Sequence, residues 1–400
     1  MGIKIILPVL LLFLINPLLT IIGLAVYGVS LGNKSIGKAN KDYLLAFGVL
    51  CGIYISLVNM VKEPESDLGV YIYWYKLSKH YNLWRYLLIA PGTMSYKDPL
   101  FHAMAWILYK LYVGNVSIYL FTLSLLEYIP CILAIYYFGK RLEMKAYVVV
   151  TGILLLCFIP YIHLHTMNII RQTLANGILC YVMVRHFFYG KKEWLGMAAM
   201  VLIHSTSALF LPVLFLPAFG KSFKKAWPWI FGVVVFLVGI QTFAGGLLMA
   251  GNFNNESTIG TALTTASGNA AGDYGLTTPL LALVIVFLIY SVFLYFGMIL
   301  PSTEGLKRFT FVYIYVALFI IIYLKEGLWA SRFFHYWFTI VPFILMTAFQ
   351  KWKIHNNLML IMSLAMIVFW SIYLQTGAWS YNIPLGPWLT PVPVYFLTIT

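Results

Sequence analysis

The sequence predicts an all-α polytopic membrane protein without a soluble domain, and two observations support this fold class. Hydrophobic residues make up 62% of the 400 residues, and charged residues make up only 10%. Apolar runs recur along the whole chain, and many of them reach the roughly 20 residues that a helix needs to cross a bilayer. We therefore expect about 10 full transmembrane helices in a single integral-membrane domain over residues 1–400.

The apolar runs set the expected spans, and the basic loops set their orientation. The spans are expected at residues 5–30, 43–61, 117–138, 147–163, 168–188, 227–249, 279–300, 309–325, 334–350 and 357–375. Basic clusters such as Lys140, Arg141 and Lys145 fall in short loops that this arrangement puts on one side. Because cytoplasmic loops carry an excess of lysine and arginine, both termini are expected to be extracytoplasmic.

The same orientation assigns three longer segments to the outer face. Residues 62–116 form an outer loop, in which residues 100–113 are expected to form an interfacial helix at the outer leaflet. A crossing by that helix would invert every later span. Residues 250–278 are small and polar and are expected to form a flexible outer loop. Residues 376–400 are expected to form an outer C-terminal tail.

Residues 194–219 are flanked by basic clusters on both sides, so they are expected to begin and end in the cytoplasm. We therefore expect a re-entrant or broken segment that turns near His204 and Ser205. Irregular backbone at membrane depth is tolerated where it is buried in protein or lines a wet cavity. The alternative is a single crossing that places the second basic cluster outside the cell.

Composition and motifs disfavour several classes of site. The net charge of +14 is typical of cytoplasmic loops beside anionic lipid, so no nucleic-acid partner is expected. No histidine pair at helical spacing or carboxylate cluster suggests a metal, and the chain has no phosphate-binding glycine motif. We therefore expect neither a metal nor a cofactor. The cysteines all fall in apolar runs and predict no disulfide framework: Cys51, Cys131, Cys157 and Cys180.

Ionisable groups at membrane depth are costly and usually functional, and here they collect at the outer face. Arg171 lies one turn into its span, Arg332 begins another span, and His204 lies at the expected turn. The planar fork of arginine suits a phosphate, and an imidazole can act as a base near neutral pH. The alternatives are arginines that extend to lipid headgroups and a core histidine bonded to Ser205 or Ser207.

The outer loop adds further candidates for substrate binding. Asp67, Tyr71 and Tyr75 are spaced to share one face of a helix, which suits either a sugar site or an aromatic belt at the membrane interface. Asp98 precedes Pro99, so helix capping alone could explain it. The ionisable candidates that this loop supplies are Glu63, Glu65, Asp67, Arg85, Lys97, Asp98 and His102.

Four segments resemble bacterial polysaccharide polymerases of the Wzy type, closest to the EpsG-like branch. They are DLGVYIYWY from Asp67, DPLFHAMAWIL from Asp98, IIRQTLANGI followed by IHSTSALFLP, and SRFFHYWFTIVPFIL from Ser331. The order and spacing cover roughly residues 40–350, and the pair of segments with Arg171 and His204 is the most distinctive. The chain departs from the pattern at Asp98, where a glutamate often stands, which puts the role of Asp98 in doubt.

The resemblance implies a metal-independent glycosyltransferase at the outer face of the bacterial inner membrane. Such an enzyme moves a growing glycan from undecaprenyl diphosphate to a sugar hydroxyl of the next lipid-linked repeat unit. Its implied partners are these lipid-linked oligosaccharides, membrane lipid, a chain-length regulator and a flippase.

The expected site residues combine the resemblance with the chemistry of the side chains. His204 is the first choice of base and Asp67 the second, while Arg171 stabilises the leaving diphosphate. The residues expected to bind substrate are Arg332, Arg85, Tyr71, Tyr75, Trp74, Asp98, Gln172 and Tyr336.

Three other functions fit parts of the pattern. An O-antigen ligase would share the donor and the arginines but should carry a larger outer domain. A transferase that uses polyprenyl-monophosphate sugars has acidic pairs in its first outer loop, which Glu63, Glu65 and Asp67 could imitate. A flippase or transporter of lipid-linked glycans would need repeated halves, and no internal repeat is evident in the sequence.

Overall fold

The computed structural model describes residues 3–31, 41–89, 98–215, 303–323 and 327–376, with the single residues 232, 289 and 291. The regular elements in these residues are all helical. They are α1 (Ile3–Ile15), α2 (Pro17–Ser30), α3 (Lys41–Asn59), α4 (Ser66–Leu77), a 3-10 turn (Ser78–His80), α5 (Leu83–Ile89), α6 (Pro99–Tyr112), α7 (Val116–Arg141), α8 (Ala146–Phe158), α9 (Pro160–Thr166), α10 (Ile170–Tyr189), α11 (Trp194–Ile203), a second 3-10 helix (Ser205–Phe210), α12 (Leu211–Phe215), α13 (Glu304–Ile322), α14 (Gly327–Trp352) and α15 (Asn356–Thr376).

The chain divides into two compact units, of which the first holds residues 1–211 and 345–400 and the second holds residues 212–344. In the first unit α7 packs along α3 and α10, and α8 packs against α2, α3 and α15. Every residue of α8 is buried. A helix that is apolar on all sides is typical of the centre of a helical protein. In the second unit, the Phe309 ring of α13 packs against the Phe343 ring of α14, with 5.2 Å between the ring centroids.

Four helices in the described part of the chain are long and apolar enough to cross a membrane. They are Asp42–Asn59 within α3, Val116–Arg141, Glu304–Ile322 and Arg332–Trp352 within α14. These helices indicate a helical membrane protein, as the composition predicted. The larger number of about 10 spans stays a prediction.

The first expected span, residues 5–30, is not one continuous helix. The helices α1 and α2 meet at Asn16, whose side chain accepts a hydrogen bond from the backbone N–H of Leu19 at 3.0 Å. Pro17 then begins α2. Asparagine is a strong N-cap, and proline is favoured in the first helical position, so the local sequence explains the break.

The expected span at residues 147–163 is also divided. The helix α8 ends at Phe158, and α9 begins at Pro160. Between them Ile159 has an extended backbone, with φ −71° and ψ 116°. A proline disfavours the helical conformation in the residue before it, which accounts for this second break.

The expected break near His204 and Ser205 is confirmed. The helix α11 ends at Ile203, His204 is extended with φ −150° and ψ 107°, and a 3-10 helix begins at Ser205. The return of residues 194–219 to the same side of the membrane stays a prediction, and residues 216–219 lie outside the described residues.

The described part of the expected outer loop is helical, and α6 covers almost the range predicted for the interfacial helix. The side chains of Leu100, Ile107 and Leu111 form an exposed apolar face on α6. The opposite face packs against α4, α5 and α11. An apolar face that the protein leaves uncovered suits contact with lipid, which supports a position of α6 in a leaflet.

Several predicted segments lie wholly or largely outside the residues that the structure describes. The outer loop at residues 250–278 lies outside the described residues, and so does the tail at residues 376–400 apart from residue 376. The expected spans at residues 227–249 and 279–300 also lie outside them, apart from residues 232, 289 and 291.

Candidate functional site

Three predicted site residues from distant segments meet in the first unit. Asp98 precedes α6, Arg171 lies in the first turn of α10, and His204 ends α11. Nη1 of Arg171 donates to Oδ2 of Asp98 at 2.5 Å, and Nδ1 of His204 lies 3.7 Å from the same oxygen. The Asp98 side chain is 2% exposed, whereas the side chains of Arg171 and His204 are 17% and 16% exposed. We refer to Asp98, Arg171 and His204 as the ionic cluster.

The break after α11 supplies a further contact to the ionic cluster. Because His204 is extended, the backbone N–H of Ser205 is released from the helical pattern and donates to Oδ1 of Asp98 at 2.8 Å. Asp98 makes no side-chain hydrogen bond to its own helix. The alternative that Asp98 merely caps α6 is therefore wrong, because its carboxylate instead joins α10 to the turn at His204.

The surroundings of Asp98 keep its side chain ionised. Burial alone would raise the pKa of the Asp98 carboxyl, since water no longer solvates the charge. The neighbouring imidazole of His204, the charge of Arg171 and the Ser205 N–H outweigh this effect and lower the pKa below its ordinary value. The cluster therefore contains a carboxylate at neutral pH.

Two aromatic rings of α4 line the guanidinium of Arg171. The Arg171 Cζ atom lies 5.6 Å from the ring centroids of both Tyr71 and Trp74. Nε of Arg171 also donates to the Tyr71 hydroxyl at 3.4 Å. Contacts of this kind between a cation and a ring are attractive and orient the guanidinium. The structure thus brings Tyr71 and Trp74 to the ionic cluster.

Other predicted residues of the first unit lie apart from these contacts. Tyr75 is buried, stacks on Tyr119 with 3.9 Å between ring centroids, and donates to the backbone oxygen of Asn115 at 3.0 Å. Asp67 is half-buried one turn before Tyr71 on α4, and no hydrogen bond joins it to the ionic cluster. Their predicted roles stay predictions.

Arg85 and Gln172 differ in exposure. Arg85 is exposed on α5, where its backbone N–H donates to Oδ1 of Asn82 at 2.9 Å. Gln172 follows Arg171 on α10 and is buried.

The remaining predicted residues, Arg332 and Tyr336, belong to α14 in the second unit. Arg332 is half-buried, and Tyr336 is buried beside Phe333, with 6.4 Å between the two ring centroids.

A set of buried polar contacts that the sequence did not predict holds the turn before α10. Lys62 Nζ donates to Oδ1 of Asn168 at 3.0 Å, and the Thr166 hydroxyl donates to Oε1 of Glu127 at 3.3 Å. Burial lowers the pKa of Lys62 to about 7. Because the turn directly precedes Arg171, these contacts fix where α10 begins. The available signal was Glu127, a lone carboxylate within the apolar run of α7.

Close packing of α7 and α10 completes the support of Arg171. A Cβ atom added to Gly177 would lie 2.5 Å from the backbone oxygen of Glu127. Only glycine permits this approach of the two helices without a shift of backbone.

The side chains of Arg171 and His204 differ in what they can do chemically. Arg171 can donate to phosphate oxygens, and His204 can accept a proton. Among the described residues, no group of three or more His, Cys, Asp and Glu side chains could hold a metal ion.

Comparisons with known proteins identify the family of the chain. The family model described as the EpsG family matches residues 44–385. Comparison with curated proteins and with solved structures gives no match. The matched range includes every predicted site residue and exceeds half of the chain, so the predicted resemblance is confirmed. The chain belongs to the EpsG family.

Proposed function

We propose that this protein polymerises lipid-linked oligosaccharide repeat units. It would transfer the growing glycan from undecaprenyl diphosphate to a sugar hydroxyl of the next lipid-linked repeat at the outer face of the bacterial inner membrane. EpsG family membership suggests a polysaccharide-polymerase-like function. The observation that carries the proposal is the ionic cluster, in which a cation and a candidate base share one buried carboxylate.

The donor's leaving group explains the need for Arg171. The acceptor oxygen forms a bond to the anomeric carbon of the donor sugar, and the bond from that carbon to the diphosphate breaks. The electron pair of the broken bond leaves with the diphosphate, where negative charge therefore grows. A guanidinium fixed beside that oxygen stabilises the developing charge more than the ground state, which lowers the barrier. We also propose that Arg332, another arginine expected at the outer face, binds lipid diphosphate.

The acceptor hydroxyl must lose a proton as it attacks. We propose that His204 takes this proton on Nε2, because Nδ1 faces the Asp98 carboxylate at 3.7 Å. A carboxylate on one ring nitrogen favours the tautomer with a free lone pair on the other. Asp98 would then act as a positioning residue for His204 and Arg171. Asp67 remains the second choice of base.

The proposed topology places the ionic cluster near the outer surface. It has about 10 spans, both termini outside the cytoplasm, and α6 in the outer leaflet. The exposed apolar face of α6 supports that position. The proposed partners are lipid-linked oligosaccharide, membrane lipid, a chain-length regulator and a flippase.

Deletion of the gene in its host, with complementation, tests the function. We expect the deletion strain to carry single repeat units where the complemented strain carries long chains, as resolved on a glycan gel. Long chains that remain on the polyprenyl carrier would contradict polymerase activity and indicate a ligase. Loss of all outer-face glycan would also contradict it and indicate a flippase or an assembly transferase.

A further inference from the structure

His102 is a buried histidine without a hydrogen-bond partner in the described part of the chain. It lies one turn after Asp98 on α6, its side chain is 0% exposed, and neither ring nitrogen has a partner. Native proteins leave few buried polar atoms unsatisfied, because each one costs stability. A side chain with two such atoms therefore calls for a functional explanation.

The neighbours of His102 are aromatic rings that form no hydrogen bond with its imidazole nitrogens. The ring centroid of His102 lies 5.0 Å from Trp74, 5.5 Å from Phe101 and 6.3 Å from Tyr86. The Tyr86 hydroxyl donates to the backbone oxygen of Trp74 at 3.0 Å and is thereby engaged. The aromatic rings hold the imidazole in place and form no hydrogen bond with either nitrogen.

His102 adjoins the ionic cluster through Trp74. Trp74 contacts Arg171 at 5.6 Å and His102 at 5.0 Å, measured to its ring. Trp74 is therefore a shared neighbour of the guanidinium and the imidazole.

The electrostatic surroundings keep His102 neutral. Burial lowers the pKa of His102 to about 4, and the charge of Arg171 adds to this effect. A neutral imidazole offers one N–H donor and one acceptor nitrogen. Phosphate oxygens could accept from the donor but would leave the acceptor unsatisfied. Sugar hydroxyls both donate and accept, so they match both nitrogens.

We infer that His102 and Trp74 form a sugar subsite, in which the imidazole binds hydroxyls of the lipid-linked glycan and the indole ring packs on the sugar face. The subsite rests on the proposed function, since it holds the glycan beside the diphosphate at Arg171. The Trp74 ring turns away from its edge-to-face contact with His102 when the sugar enters.

The variant His102→Phe tests the subsite, because phenylalanine keeps an aromatic ring and removes both nitrogens. The substrate is the single-unit lipid extracted from the deletion strain. We expect the purified variant to melt at the same or a higher temperature than the natural protein. We expect its KM for this lipid to rise about tenfold or more with little change in kcat, as for lost binding. An unchanged KM would mean that the imidazole only packs.

If His102→Phe lowers both the melting temperature and the activity, loss of folding and loss of sugar binding must be separated. The variant His102→Asn separates them. Asparagine retains a donor and an acceptor. Activity clearly above that of His102→Phe, at equal protein level, supports the subsite, and activity no better than that of His102→Phe overturns it. The natural protein is assayed in parallel, so failure of the proposed function would appear as absent polymer in every sample.

Discussion

Replacement of Arg171 by alanine is expected to abolish long glycan chains while single repeat units accumulate. The guanidinium is the cation of the ionic cluster, and its loss leaves the departing diphosphate without that stabilisation. Loss of one such donor lowers a rate by about 10²–10³-fold, and a charged donor should lie at the upper end. The measurement is the polymerisation rate of purified protein, with the glycan gel as the cellular readout.

Two further variants separate catalysis from folding at Arg171. Its removal leaves the buried Asp98 carboxylate without its guanidinium partner, which is strongly destabilising. The double change Arg171→Ala with Asp98→Asn removes that charge and should restore the amount of protein in the membrane, but not the polymer. Arg171→Lys keeps the charge and loses the planar fork, so partial activity is expected.

A matched control lies on the same helix. Arg185, at the other end of α10, pairs with Glu193 at 3.0 Å and stacks over Tyr137 at 5.0 Å. Arg185→Ala also removes a paired arginine and should leave polymer intact. If Arg171→Ala kept long chains, the diphosphate role of Arg171 would be wrong.

Replacement of His204 by alanine is expected to lower the rate by about 10²–10⁴-fold, the range for loss of a general base. Protein level should change little, because His204 is partly exposed and ends a helix. Asp98→Asn should give a smaller fall, since it disturbs the orientation of His204 without removing the imidazole. His80→Ala changes an exposed histidine of the expected outer loop at residues 62–116 and serves as the control.

The prediction for His204 would be contradicted if Asp67 were the general base. If His204→Ala kept the natural rate and Asp67→Ala lost it, Asp67 would be the base. An unchanged rate in both variants would remove general-base catalysis by either side chain. Rates should be compared at saturating lipid substrate, so that a binding defect is not taken for a chemical one.

The sequence predicted the helical fold because apolar runs of membrane length leave few alternatives. It also predicted the break at His204, because basic clusters flank that segment. The breaks at Asn16 and Ile159 were missed, although a proline follows each of these residues. Hydropathy averaged over a whole span outweighed these local signals.

The ionic cluster could be predicted only in part. The membrane orientation predicted from the basic loops was enough to expect Arg171 and His204 at the same face of the membrane. The partnership with Asp98 joins residues 73 positions apart, and no local pattern encodes such a distance. Asp98 before a proline is also a good helix cap, so its sequence context supported another role.

The packing of individual rings decides which aromatic residues meet the cluster. Tyr71 and Tyr75 share a helical face in the sequence, yet Tyr71 contacts Arg171 while Tyr75 stacks on Tyr119. The turn after α6 fixes this difference, because Asn115 accepts from Tyr75. His102 was visible as an ionisable residue of the outer loop, but its two unsatisfied nitrogens are a property of packing.

Reconstitution of the purified protein in vesicles with the single-unit lipid as the sole substrate tests the central claim most directly. We expect a ladder of products that grows by one repeat unit, with one undecaprenyl diphosphate released for each linkage. The ladder should form without nucleotide sugar and persist in the presence of a metal chelator. The account would be contradicted if products appeared only when nucleotide sugar is added. It would also be contradicted if the protein with its natural sequence formed no ladder.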